Sequence, residues 1–307
     1  MASNLYKSLS SDDTLHVYDT VPSTMETFIL EHPAAKASKS STSLIQSSST
    51  IISSLPNTSH VQSLFSPFFD SLDGASPDQL KDKLFIDTST ISPAATKLLS
   101  DKLTSYGAVL LDAPVSGGVV GATAGTLTFM ISQPESIPHE RIESILSSMG
   151  KRIIICGNYP GAGLAAKLAN NYALALNNLA ACDAMLLGEK LGLDPKILAQ
   201  VLNTSTGKSW PSESNNPVPG VLPNSPSSKE YNGGFGIGLM RKDLELALEA
   251  EREAGIVVDG GAGEGSKLKG HLSELSKAAL ELYKTVEGKK EFEKKDFSVV
   301  YQYLKQL

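Results

Sequence analysis

The chain has 307 residues, with 27 Lys and Arg against 33 Asp and Glu and a formal net charge of −6 at pH 7. That length predicts two domains, the acidic balance leaves no basic footprint for nucleic acid, and no apolar run is long and unbroken enough to span a bilayer. Cys156 and Cys182 make neither a metal-binding cluster nor a disulfide framework, which points to a reducing compartment.

In chain order, Met1 to Ser10 reads as a short helical piece that begins abruptly, with neither an apolar signal core nor an Arg-rich presequence. Ser10-Ser11-Asp12-Asp13 supplies turn chemistry. Leu15 to Asp19 is a buried-strand candidate ending in an acid, and Val21 to about Ile29 a helix. The serine- and alanine-rich stretch from Ala34 to Ser43 reads as an irregular connection. Thr50 to Pro56 is a strand stopped by its proline, Val61 to Leu72 a helix, Leu84 to Asp87 a strand. Pro93 to Ser105 is a helix opened by proline, and Val109 to Asp112 a further strand. Strands alternating with helices predict a parallel sheet covered on both faces.

Next comes Ala113-Pro114-Val115-Ser116-Gly117-Gly118. Paired glycines after a strand let backbone approach a ligand and leave N–H groups to hold an anion; Ser116 adds a hydroxyl at the strand's carboxyl end, where open α/β sheets bind ligands. Leu127 to Ile131 reads as a returning strand, Glu140 to Met149 as a helix, and Arg152 to Cys156 as a last strand. Gly157 to Gly161 then hinges into a long helix ending near Leu191. That helix is apolar nearly all round, so it is buried on several sides. Into this surround the sequence places Lys167, Asn171 and Asn178. Lys167 and Asn171, four apart, share one helix face. Either the lysine snorkels to solvent while the asparagines tie backbone groups, or it is a chemical lysine that trades a proton with substrate.

Beyond this point the chain reads as helical. Asp194-Pro195 opens a helix with an acid cap followed by proline. Thr204 to Lys229, with the only tryptophan, Trp210, reads as a long irregular loop. Helices follow from Leu239 to about Ala254, His271 to Val286 and Asp296 to Gln306. Lys242 stands near a helix start, where it opposes the dipole and a bound anion would offset the cost.

Four blocks in order, Ile86 to Pro93, Asp112 to Met130, Gly161 to Asn171 and Phe235 to Asp243, resemble the β-hydroxyacid dehydrogenase family. Leu191 to Pro195, Trp210 with Asn216 to Val221, and Lys295 to Ser298 are similar to its branch acting on 3-hydroxyisobutyrate. The resemblance implies an α/β, Rossmann-like doubly wound sheet over 1–158, then an all-helical domain over 159–307 joined by the long helix. It implies NAD-dependent oxidation of 3-hydroxyisobutyrate to methylmalonate semialdehyde in valine catabolism, mitochondrial placement, a small-molecule β-hydroxy acid as partner, and a homo-dimer or tetramer.

Residue by residue, the resemblance assigns Lys167 as acid–base catalyst and Asn171 as its substrate-orienting neighbour. Ser116, Gly117 and Gly118 would hold the substrate carboxylate. Leu55, Pro56, Thr90, Phe235 and Lys242 would lie beside the cofactor, and Asp19 on its ribose, where an acid repels a 2′-phosphate and favours NAD over NADP. No metal is implied. One departure stands out: the family opens with a strand and a Gly-x-Gly-x-x-Gly turn for the pyrophosphate, and this sequence begins at what resembles the following helix. The first strand of the sheet is therefore expected to be missing. Alternatives are a non-catalytic remnant of the family, or an enzyme of the same class with another substrate, a dehydrogenase or reductase for a related β-hydroxy acid or semialdehyde.

Overall fold

The computed structural model describes residues 1–72, 76, 78–254 and 271–307. These fall into two compact units, Met1–Lys167 and Leu168–Leu307. The first alternates strands and helices: α1 (Ala2–Ser8), β1 (His16–Val17), α2 (Pro22–Glu31), β2 (Lys36–Ala37), α3 (Ser41–Ser47), β3 (Thr50–Ser53), α4 (Thr58–Asp70), β4 (Leu84–Asp87), α5 (Pro93–Thr104) and β5 (Val109–Asp112). There follow β6 (Val115–Ser116), α6 (Gly118–Ala124), β7 (Leu127–Ser132), α7 (His139–Leu146) and β8 (Gly150–Gly157), before α8 (Ala162–Lys190) runs on into the second unit.

The strands form three sheets. β3, β4 and β5 are parallel, with Ser53, Asp87 and Asp112 in one register row at their carboxyl ends. All four residues of β4 are buried, as expected of a parallel strand covered on both faces. β6 is antiparallel to β7, and β7 parallel to β8. β1 and β2 make a two-stranded parallel sheet of their own. The doubly wound arrangement is thus present as separate hydrogen-bonded pieces. Two apolar clusters fill this unit, one around Phe65, Phe68 and Phe85 and the other around Ile86, Leu111, Phe129 and Ile131.

Three readings need correction. Leu15 to Asp19 narrows to the two half-buried residues of β1. Ala34 to Ser43 is not an irregular connection throughout: it contains β2 and the start of α3. The serines build that helix end. Ser40 Oγ accepts from Ser43 N–H and Ser43 Oγ accepts from Ser40 N–H, both at 3.1 Å, a reciprocal cap on two otherwise orphaned donors. Lys83 closes the other end, its Nζ donating to the carbonyls of Ile45, Gln46 and Ser48 at 3.0, 3.3 and 2.5 Å. Burial lowers the pKa of this lysine.

Thr204 to Lys229 is likewise more ordered than a loop. After α9 (Pro195–Thr204), capped by Asp194 as its sequence predicts, comes α10 (Trp210–Ser214), with a Ser209–Ser212 reciprocal cap, and then a 3₁₀ turn at Pro226–Lys229. The unit is completed by α11 (Ile237–Glu253), α12 (His271–Glu287), a 3₁₀ turn at Phe297–Val299 and α13 (Val300–Gln306). Its own core gathers Cys182, Met185, Met240, Leu244, Tyr283, Phe297 and Tyr301. Asn178 sits in this core as a structural tie, its amide donating to Tyr283 Oη at 3.0 Å and to the Phe297 carbonyl at 3.2 Å.

Candidate active site

The carboxyl ends of β3, β4 and β5 are knitted together by short polar side chains. Asp87 Oδ1 accepts from Ser53 Oγ at 2.8 Å, Ser89 N–H at 3.1 Å and Ser89 Oγ at 2.6 Å. Thr88 Oγ1 donates to the Ser53 carbonyl at 2.8 Å. Ser89 Oγ also accepts from Leu55 N–H at 2.8 Å. The Leu55–Pro56 loop after β3 is therefore tied to the loop after β4 that carries Thr90. These three predicted cofactor-side residues are neighbours, with Leu55 and Thr90 half-buried and Pro56 exposed. Asp19, two residues beyond β1, is exposed and accepts from Val21 N–H through Oδ1 at 2.8 Å.

Burial raises the Asp87 carboxyl to about 6, and the Asp112 charge adds to that; the bonds from Ser89 and Ser53 act against it. Asp112, in the next strand, has a different task. Its Oδ1 accepts from Gly161 N–H at 2.8 Å and its Oδ2 from Leu164 N–H at 3.0 Å. These are N–H groups at the beginning of α8, so a strand-borne carboxylate caps the long helix where the dipole favours negative charge. Gly163 makes the approach possible. A Cβ there would lie 2.2 Å from the Met130 carbonyl oxygen and 2.9 Å from Asp112 Oδ2. Lys167 follows Leu164 by three residues, and Ser116 follows Asp112 by four. One carboxylate thus sets both the start of the lysine's helix and the end of the strand leading to the serine turn.

In that turn Ser116 is half-buried and pairs with Thr128 across β7. Gly117 and Gly118 are exposed at φ +131° and +59°, backbone conformations that side-chain-bearing residues rarely adopt. A Cβ on Gly117 would also come within 3.1 Å of Leu127. The paired glycines have a conformational reason, and the turn leaves backbone accessible.

On α8, Lys167 is 7% exposed, too little for a side chain that merely snorkels to water. Asn171, one turn on, is 2% exposed. Its Nδ2 donates to Asp243 Oδ2 at 2.5 Å, and its Oδ1 accepts from Asn170 Nδ2 at 3.0 Å. Asp243 Oδ1 pairs with Lys242 Nζ at 3.0 Å. In the second unit, then, the structure joins two predicted site residues, Asn171 and Lys242, through a carboxylate not singled out as a site residue from the sequence. Phe235 packs edge-on against Phe297, with ring centroids 6.1 Å apart, and its N–H donates to Asp296 Oδ2 at 2.8 Å.

Four buried acids, Asp87 and Asp112 in the first unit and Asp243 and Asp296 in the second, thus hold predicted site residues, or the segments that carry them, without having been assigned as such from the sequence. Asp87 and Asp112 left a trace in the sequence, a carboxylate closing an otherwise apolar strand. The other two lie beside lysines, where an acid reads as a solvated ion pair. Among the described residues, no group of three or more His, Cys, Asp or Glu is arranged to hold a metal.

Comparison with known proteins shows the family. The family model for the NAD binding domain of 6-phosphogluconate dehydrogenase matches residues 1–157. That for the NAD-binding domain of NADP-dependent 3-hydroxyisobutyrate dehydrogenase matches residues 161–279. The chain is 41% identical over 270 residues to a probable mitochondrial 3-hydroxyisobutyrate dehydrogenase of Arabidopsis thaliana, covering 84% of this chain and 72% of the relative. It is 38% identical to the mitochondrial enzyme of Drosophila melanogaster, covering 99% and 85% of the two chains. The solved 3-hydroxyisobutyrate dehydrogenase of Mycobacterium tuberculosis, described with L-serine, superposes with a TM-score of 0.82 at 33% identity, covering 99% of this chain and 94% of that one. A Rossmann-like NAD-binding domain followed by a helical domain accounts for these matches, and the chain belongs to the 3-hydroxyisobutyrate dehydrogenase family of NAD-binding oxidoreductases.

Proposed function

We propose that this chain oxidises 3-hydroxyisobutyrate to methylmalonate semialdehyde with NAD, using Lys167 as its acid–base group. The observation that carries the reading is the pair on α8: a lysine buried to 7% exposure, with Asn171 one turn away and anchored by Asp243. A lysine is seldom buried without a partner or a task.

The residues present fit the ribose and nicotinamide portions of a dinucleotide. Exposed Asp19 offers a carboxylate to ribose hydroxyls and repels a 2′-phosphate. The Leu55–Pro56 loop, fixed through Ser89, and Thr90 would lie along the nicotinamide end, with Phe235 and Lys242 contributed by the helical domain. When bound, NAD supplies the hydride acceptor. The protein's part is geometry and the hydroxyl proton. Ser116 and the Gly117 and Gly118 amides would hold the substrate carboxylate; Asn171 would orient the hydroxyl; Lys167 would take its proton as the carbon–hydrogen bond yields hydride. Holding both ends of a small substrate lowers the barrier through orientation.

L-serine, named with the M. tuberculosis structure, shares a β-hydroxyl and a carboxylate with 3-hydroxyisobutyrate. That supports a second substrate reading, in which a related β-hydroxy acid is oxidised at the same residues. We also propose an NAD-binding domain over 1–158, a helical domain over 159–307, a homo-dimer or tetramer, and mitochondrial placement like that in the names of the curated relatives.

The test is reduction of NAD to NADH and of NADP to NADPH, with 3-hydroxyisobutyrate and with L-serine, by the full chain and by Lys167→Ala. The expected result is turnover with NAD, preference for 3-hydroxyisobutyrate, and loss of turnover in Lys167→Ala with NADH binding retained. Turnover that survives the substitution would make Lys167 structural.

A further inference from the structure

Asp296 is about 1% exposed, and its carboxylate is surrounded by donors only. Oδ2 accepts from Phe235 N–H at 2.8 Å. Oδ1 accepts from Asn215 Nδ2 at 3.1 Å, Ser298 N–H at 3.0 Å and Ser298 Oγ at 2.6 Å. The backbone around it is stitched to the same segment. Phe297 N–H donates to the Phe235 carbonyl at 3.0 Å, Ile237 N–H to the Lys295 carbonyl at 2.9 Å, and Asp296 N–H to the Tyr231 carbonyl at 2.8 Å.

The segment so held has an unusual backbone. Glu230, Tyr231, Gly233 and Gly234 have φ of +54°, +59°, +78° and +69°. Positive φ in two successive side-chain-bearing residues is costly and persists only where surrounding structure imposes it. Space is as tight as conformation: a Cβ on Gly234 would sit 2.2 Å from Asp296 Oδ2. Directly after this segment begins α11, which carries Lys242 and Asp243.

We propose that Asp296 is a positioning residue for the cofactor-side segment, an acceptor-only clamp that fixes Phe235 and the entry to α11 in the shape that receives the dinucleotide. The clamp rests on the reading of Phe235 and Lys242 as cofactor-side residues. Four donors converge on one carboxylate, so an amide of the same size cannot replace it: its NH₂ would face a donor on either side. Burial raises the Asp296 pKa, the cost of keeping this group charged in the core, and the converging bonds act against that cost.

The test is Asp296→Asn in the full chain, with two readouts. The first needs no cofactor: hydrogen exchange of the Phe235 amide is expected to accelerate at least tenfold, while amides in the middle of α11 and α13 keep their wild-type rates. The second is steady-state kinetics, where KM for NAD is expected to rise about tenfold, the scale of one lost hydrogen bond to a charged acceptor, with kcat little changed. Ser298→Ala and Asn215→Ala keep the carboxylate and remove one donor each; both are expected to shift the two readouts in the same direction by less, and they carry the test if Asp296→Asn does not fold. An unchanged Phe235 exchange rate, or acceleration spread over the whole second unit, would overturn the clamp. Local acceleration without a KM change would keep the clamp and sink the cofactor-side role of Phe235. A wild type that turns over no hydroxy acid would sink the proposed function and leave the Phe235 exchange rate to decide the clamp.

Discussion

Asp87 closes a strand whose other three residues are Leu84, Phe85 and Ile86, and its two carboxyl oxygens fare differently. Oδ1 accepts three hydrogen bonds, whereas Oδ2 is buried with no hydrogen-bond partner among the described residues. An unpaired buried oxygen favours the protonated acid, and the pKa rises to about 6. A folded-state pKa above the unfolded value means that the folded protein holds a proton the unfolded chain has released. This contribution to stability is fully present below the unfolded-state pKa and is lost as pH rises through about 6. Asp87→Asn is expected to flatten the pH dependence in that window and to stabilise the protein at neutral pH by on the order of 1 kcal/mol. The gain falls short of the full shift at about 1.4 kcal/mol per unit, because the amide NH₂ inherits the unpaired position. Urea midpoints of the two proteins at about pH 4 and about pH 7 check this; parallel pH dependence in both would show that Asp87 is charged in the fold at no cost.

At the scale of elements, the strands Leu84–Asp87 and Val109–Asp112 were legible to the residue, because apolar runs bounded by a charge and a turn admit few other readings. The long helix was legible within a residue or so at each end from its glycine hinge and its small-residue start. Two short helices, α3 and α10, were not. They span seven and five residues, too few to display a 3.6-residue period, and each is held by a serine pair that in sequence looks like loop composition. The start of α8 poses a subtler problem. Gly161-Ala162-Gly163-Leu164-Ala165-Ala166 has the spacing of a dinucleotide-binding turn, and it follows a strand and opens a helix. Asp112 already occupies the anion position there through Gly161 and Leu164, so these glycines serve close packing and a carboxylate cap. Gly163→Ala is therefore expected to act through packing. Its Cβ would meet backbone of β7 at 2.2 Å, a contact that no rotamer relieves. Overpacking of this kind costs typically about 1–3 kcal/mol, and losing the Asp112 cap adds to it. A fall in thermal midpoint with turnover lost in proportion to Lys167 displacement is the expected outcome; an unchanged midpoint would mean that α8 shifts away from β7 freely.

At the scale of the whole chain, the residues expected from the sequence to act together fall in both compact units, Ser116, Thr90 and Lys167 in the first, Asn171, Phe235 and Lys242 in the second. Their order along the sequence made the family legible, but the acids that hold them were not, since partners such as Asp243 and Asn171 lie 72 residues apart. Among the described residues the apolar clusters respect the division: those around Phe65 and Phe129 contain only residues of the first unit, and the one around Tyr283 only residues of the second. A domain with its own core is a unit of cooperative unfolding, so two such units are expected to give separate transitions. The first unit is expected to unfold at lower urea, because its strands pair in three separate sheets and β1–β2 is only two residues deep. Trp210, the only tryptophan, lies in the second unit and reports on it alone, whereas far-ultraviolet circular dichroism reports on both. The circular dichroism transition is expected to begin before the Trp210 fluorescence transition, and saturating NAD to narrow the gap by raising the earlier one, since a ligand stabilises the unit that binds it. Coincident transitions without NAD would show one cooperative block. A gap that NAD leaves unchanged would remove the first unit from cofactor binding, and with it the roles assigned to Asp19, Leu55, Pro56 and Thr90.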